Sequence, residues 1–180
     1  LSRSQLHRSG PAPWLADPLG FILQLARNSR GYETVEALQL LDGVVSIYLP
    51  DMKYADDIQA EEVSGAAGYR AINRRAVTEM LHQVGQLQVD ASGIAIQGLI
   101  IRHLVLPQGR AGSFETLPWI AAHLGKETHI ALMSQYFPAW RATTTSGVDR
   151  GLTHDEYDVA VEALEEAGLD SGWVQELEAE

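Results

Sequence analysis

The chain has 180 residues, 46% of them hydrophobic, and 24 acidic against 13 basic side chains give a formal net charge of −11. That length predicts one domain with a sizeable core, and the acidic balance argues against nonspecific binding to nucleic acid or to an anionic membrane, both of which need a basic surface. The apolar stretches are strand-sized and interrupted by charge, well short of the roughly 20 residues that cross a bilayer, so a soluble, cytoplasmic protein is expected.

In chain order, residues 1–20, with Pro11, Pro13 and Pro18, read as a loop or disordered tail, and residues 21–180 as one folded unit. Residues 1–10 mix arginine and serine as a transit peptide does, but without an apolar signal core. A first strand is expected over residues 21–27. Val35, Leu38 and Leu41 fall at helical spacing before Gly43, a helix stop, and lead into an apolar strand over 44–49. A short helix over 56–63 follows, and Ile72, Ala76, Met80 and Val84 then mark one face of a longer helix.

Residues 87–89 and 94–96 flank Asp90-Ala91-Ser92-Gly93, which has the chemistry of a hairpin turn, before a strand over 99–106. Phe114, Leu117, Ala121 and Leu124 share a helical face, which puts Pro118 in the first turn, where a missing N–H costs nothing. Residues 130–136 read as the next strand and 141–151 as a threonine-rich loop. Thr153 and Glu156 form a capping box for a helix through Tyr157, Ala160, Val161, Leu164 and Ala167. A final strand is expected over 173–177.

Three apolar runs therefore end in polar clusters beside a proline: Pro50-Asp51-Met52-Lys53-Tyr54, Arg102-His103-Leu104-Val105-Leu106-Pro107 and Ser134-Gln135-Tyr136-Phe137-Pro138. Continuous apolar runs suit buried parallel strands, and in parallel α/β folds the chemistry lies at the strand C-termini. Asp51 and Lys53 are two apart and so project from one face; an ordinary strand-end ion pair has the same spacing. Arg102 and His103 project to opposite faces, and each needs a polar partner if buried. Asn28-Ser29 before Arg30-Gly31 also reads as a plain turn. The histidines have no metal-ligand spacing, and neither a nucleophile elbow nor a phosphate-cradling glycine loop occurs. Lys53 as a Schiff-base amine is disfavoured because Asp51 stabilises its charged form.

These segments, with LLDGVVSIYLPDMKYADD and GLIIRHLVLP as the most specific, resemble the C-terminal half of radical S-adenosylmethionine proteins of the pyruvate formate-lyase activating enzyme type, over residues 28–175. The resemblance implies a partial parallel (β/α) barrel of the TIM-like type with a small β-hairpin insertion. It implies S-adenosylmethionine and a 4Fe-4S cluster as cofactors and a glycyl-radical or other protein as substrate. By the same resemblance Asp51 and Lys53 lie against S-adenosylmethionine, Asn28 and Ser29 supply oxygens to a nearby monovalent cation, Arg102 pairs with the ligand from inside the barrel, and Gln135 and Tyr136 occupy the end of a later strand. His103 is expected to be structural.

The chain departs from the family in having no cysteine, so the cluster loop is absent. The sequence begins with Leu1, and the expectation is a fragment whose missing N-terminal half carries the cluster, inactive alone. The alternative is a degenerate, non-catalytic barrel that binds an adenosyl ligand or a partner chain. Ser134 and Phe137 stand where the poorly characterised branch of these proteins that the chain most resembles tends to carry charged residues, which favours the alternative.

Overall fold

The computed structural model describes residues 24–177. The expected tail and the start of the first expected strand lie outside the described residues. Within them, six strands form one mixed sheet: β1 (Ala26–Ser29), β2 (Ile47–Pro50), β3 (Gln88–Val89), β4 (Ala95–Leu104), β5 (His129–Met133) and β6 (Gly172–Val174). Five strands run parallel in the order β1-β2-β4-β5-β6, and β3 pairs antiparallel with β4. Chain neighbours are thus sheet neighbours once the β3 hairpin is set aside, without the order reversal of a doubly wound sheet.

The helices are α1 (Val35–Gln39), α2 (Asp57–Ser64), α3 (Tyr69–Val84), α4 (Ser113–His123) and α5 (His154–Glu166). Alternation along the strands sends Tyr48, Met52, Leu99, Ile101, Val105, Ile130 and Leu132 into the main core. There they meet α3 through Ala76, Val77 and Met80, α4 through Leu117 and Ile120, and α5 through Tyr157, Ala160 and Leu164. The opposite sheet face carries Leu49, Asp51, Arg102 and Ala131. The expected capping box is present: Thr153 Oγ1 accepts from the Glu156 N–H, and the Glu156 carboxylate accepts from the Thr153 N–H.

Several expected boundaries move. The hairpin arm and the following strand are one ten-residue strand, β4, whose start pairs with β3 and whose middle pairs with β2. Gly98 makes this crossover possible, because its φ is +125° and a Cβ there would strike the Leu87 backbone. Pro118 lies inside α4 rather than in its first turn. The bond it forgoes is to the carbonyl of Phe114, in the first turn of the helix. β2 starts at Ile47 because residues 41–45 close turns back onto α1. The threonine-rich loop opens with a 3-10 turn (Trp140–Thr144), and β6 ends at Val174.

A second, smaller core sits beyond the C-terminal ends of the strands. Tyr54, Ala60, Val63, Tyr69, Leu106, Ala111, Ala142 and Val148 pack there, with Leu104 and Tyr136 alongside. It joins α2 and the 3-10 turn to the rim that bears the candidate residues.

Candidate ligand site at the strand ends

Register builds the centre of the site. β2 and β4 pair Ile47 with Gly98 and Tyr48 with Leu99, and the same offset puts Asp51 opposite Arg102 in a further parallel bridge. Residues directly opposite share a sheet face, so the carboxylate and the guanidinium meet without any loop having to deliver them. Arg102 Nε donates to Asp51 Oδ1 at 2.8 Å, and its Nη2 pairs with the same oxygen. Lys53 Nζ lies 3.1 Å from Asp51 Oδ2, as the two-residue spacing predicts. Asp51 is 6% exposed, whereas the Lys53 and Arg102 side chains keep 32% and 25% of their surface. One buried carboxylate thus serves two half-solvated cations, leaving this cluster a net positive charge.

The backbone beneath the cluster is held from three sides. Asn73, buried on α3, donates through Nδ2 to the carbonyls of Gly31 (2.9 Å) and Asp51 (2.8 Å), tying the end of β1 to the end of β2. Gly31 is required there: its φ is +64°, and a Cβ would collide with Asn73 and the Asp51 carbonyl. The Tyr69 hydroxyl accepts from the Lys53 N–H at 2.9 Å and donates to the Asp51 carbonyl at 3.3 Å. His103, fully buried on the helix side, lies 2.6 Å from the Met52 carbonyl through Nδ1 and 2.9 Å from Ser113 Oγ through Nε2. A carbonyl can only accept, so Nδ1 carries the proton and Nε2 accepts from the serine. Burial pushes the His103 pKa down to about 4, so the ring is neutral near pH 7. It is a positioning residue for the Asp51-Met52-Lys53 segment.

The other sequence-derived residues divide. Asn28 pairs in register with Leu49 and so lies on the Asp51 face, exposed. Ser29 is on the opposite face; its hydroxyl donates to the Glu33 carboxylate at 2.7 Å and accepts from the Gly31 N–H at 2.9 Å. That hydroxyl is spent on a local turn, and the turn reading of this segment is the one its geometry favours. Gln135 is exposed beyond the end of β5. Tyr136 is half-buried, and its hydroxyl donates to the Val148 carbonyl at 2.7 Å.

Lys53 and Tyr136 also border a cavity of about 600 Å³, which Asp51 and Arg102 do not line. Its walls include Tyr32, Tyr54, Tyr69 and Trp140, none of which sequence reasoning singled out, and Arg30 stands at its edge. Tyr54 lies in a strand-end cluster and Arg30 and Tyr32 in the turn after Asn28-Ser29, which is the signal that was there to be used. Tyr69 opens a helix 15 residues past Tyr54 and carries no comparable signal. Among the described residues no group of three or more His, Cys, Asp or Glu side chains is arranged to hold a metal ion, and no helix is long and apolar enough to cross a membrane.

No protein-family model and no solved structure matches the chain. In sequence it is similar to an uncharacterized protein of Methanocaldococcus jannaschii, 32% identical over 144 residues that make up 79% of this chain and 38% of that relative. The chain therefore spans well under half the length of the relative it matches.

Proposed function

We propose that this chain is the C-terminal portion of a radical S-adenosylmethionine enzyme resembling the pyruvate formate-lyase activating enzymes, a partial (β/α) barrel that orients the ligand while another segment supplies the redox centre. The observation that carries this reading is the Asp51-Lys53-Arg102 cluster at the C-terminal ends of two adjacent parallel strands. A net-positive cluster with two solvated cations suits the carboxylate of an amino-acid ligand. Sequential parallel strands with the core helices on one face are also what an arc of such a barrel has.

The 4Fe-4S cluster does not fit this chain: such clusters are held by thiolates, and none of the 180 residues is a cysteine. Its ligands belong to a segment outside this sequence, and the longer relative gives room for one. The chain's own part is then to bind and orient: Lys53 and Arg102 toward the ligand carboxylate, Asp51 fixing both cations, Asn28 facing the same side. Ser29 does not serve through its hydroxyl, and Gln135 stands free to turn toward a ligand. In the whole protein, the substrate on this reading is a glycyl-radical or other protein in the cytoplasm; this chain alone is catalytically silent.

The second reading, a degenerate barrel that only binds an adenosyl ligand or a partner chain, draws on the absence of cysteine. An in-frame cysteine loop upstream in the gene favours the first reading and a stop codon the second. Calorimetric titration with S-adenosylmethionine tests the site itself. Saturable binding that disappears in an Asp51→Ala, Lys53→Ala double variant is expected; its absence from a chain folded by circular dichroism overturns the assignment of these residues.

A further inference from the structure

The cavity beside Lys53 has a chemistry of its own. Its tyrosine hydroxyls are all committed to the protein: Tyr32 donates to the Ala67 carbonyl at 2.6 Å, Tyr54 shares a 2.6 Å bond with Ser64, Tyr136 donates to Val148, and Tyr69 bonds the Asp51-Lys53 backbone. What these residues leave to an occupant is ring surface. Tyr69 stacks on Tyr32 at 5.9 Å and meets Tyr54 edge-on at 5.4 Å, which fixes the rings as one wall. Burial raises the pKa of Tyr54, Tyr69 and Tyr136 further above the neutral range.

Two further observations point to an occupant. Trp140 and Phe137, 65% and 82% exposed, both line the cavity; the Trp140 ring carries the Arg141 guanidinium at 4.5 Å, while Phe137 is the more exposed of the two. Trp140 also holds a left-handed backbone, φ 54°, which costs a non-glycine residue free energy. Gly65, itself left-handed at the end of α2, has no Cβ to keep the Trp140 ring away. The charge at this cavity is cationic: Lys53 belongs to the net-positive cluster, and Arg30 makes no ion pair among the described residues. On a chain of net charge −11 that is a local reversal of sign.

We propose that this cavity binds a small organic anion, a carboxylate on a flat apolar body, with the ring body between the tyrosine wall and Trp140 and the carboxylate toward Arg30 and Lys53. A volume of about 600 Å³ lies within the range of small-molecule sites. The inference does not rest on the radical-enzyme reading, which concerns the Asp51-Arg102 face; the two compartments share Lys53.

Calorimetry with three probes tests it: indole-3-propionate, its neutral amide, and tryptamine. Indole-3-propionate is expected to bind saturably, the amide about tenfold more weakly, and tryptamine not measurably. Arg30→Gln and Trp140→Ala, both at exposed positions and so compatible with folding, should each weaken the carboxylate about tenfold while leaving the circular dichroism melt unchanged. Equal binding of the three probes, or no saturable binding of the carboxylate to a folded chain, overturns the proposal. A parallel S-adenosylmethionine titration separates the two ideas. Indole-3-propionate binding without S-adenosylmethionine binding leaves the cavity assigned and overturns the ligand role of Asp51 and Lys53; the converse refutes the cavity alone.

Discussion

The ends of β2 and β5 are both strand C-termini on one sheet, yet they are built in opposite ways. At the end of β2, Asp51 and Lys53 are fixed by a register-set ion pair with Arg102, by two carbonyl clamps from Asn73, by Tyr69 and by His103 behind them. At the end of β5, Gln135 projects into solvent, and Tyr136 is held by one bond to a loop carbonyl. The first rim is preorganised for charge, which suits orienting a ligand; at the second Tyr136 packs on the smaller core and bonds Val148, and Gln135 is the side chain left free to adjust.

The comparison breaks most sharply if Asp51 is removed. Asp51→Ala leaves two cations facing each other beside a buried backbone and should cost about 2–3 kcal/mol in urea denaturation, below the cost of a fully buried pair because both cations keep solvent. Asn73→Ala strips a donor from two carbonyls at once and should cost about 2 kcal/mol by the same measurement. A loss under about 0.5 kcal/mol from either change would mean that the rim is no more fixed than any surface position.

Acid gives a third test, with a defined sign. The folded His103 pKa, about 4, lies below the unfolded 6.5, so neutral His103 contributes stability that is fully present above pH 6.5 and is lost as pH falls toward 4. Between pH 7.5 and 5.5 the wild-type chain should lose stability on the order of 1 kcal/mol through this group, and a His103→Gln chain should lose less. At the β5 end, Tyr136→Phe should cost about 1 kcal/mol, one hydrogen bond, and Gln135→Ala under about 0.5 kcal/mol. Reversed sizes at the two ends would undo the contrast.

The same contrast explains what the sequence made legible. Apolar runs located the strands, and the two-residue spacing put Asp51 and Lys53 on one face, because both are local periodicities. The Asp51-Arg102 pairing depends on the register between strands 51 residues apart, which no local pattern encodes. Ser29 was readable as a turn from its neighbours, and its bonds to Glu33 and Gly31 are those of a turn. Pro118 misled because the rule against helix-interior proline places it in the first turn, whereas it lies just past that turn and forgoes its bond to the Phe114 carbonyl. The aromatic cavity was hardest to see, since it gathers one or two residues from each of several segments and only the fold brings Tyr32, Tyr69 and Trp140 together.

The central claim, that the Asp51-Lys53-Arg102 rim receives a ligand carboxylate, has a direct spectroscopic test because Lys53 and Lys126 are the only lysines in the chain. Reductive methylation with ¹³C keeps their charge and gives two lysine signals, assigned by a Lys126→Arg variant. On titration with S-adenosylmethionine, the Lys53 signal should shift saturably while that of Lys126 stays still. Binding seen by calorimetry with no movement of the Lys53 signal, or equal shifts at both lysines, would contradict the account.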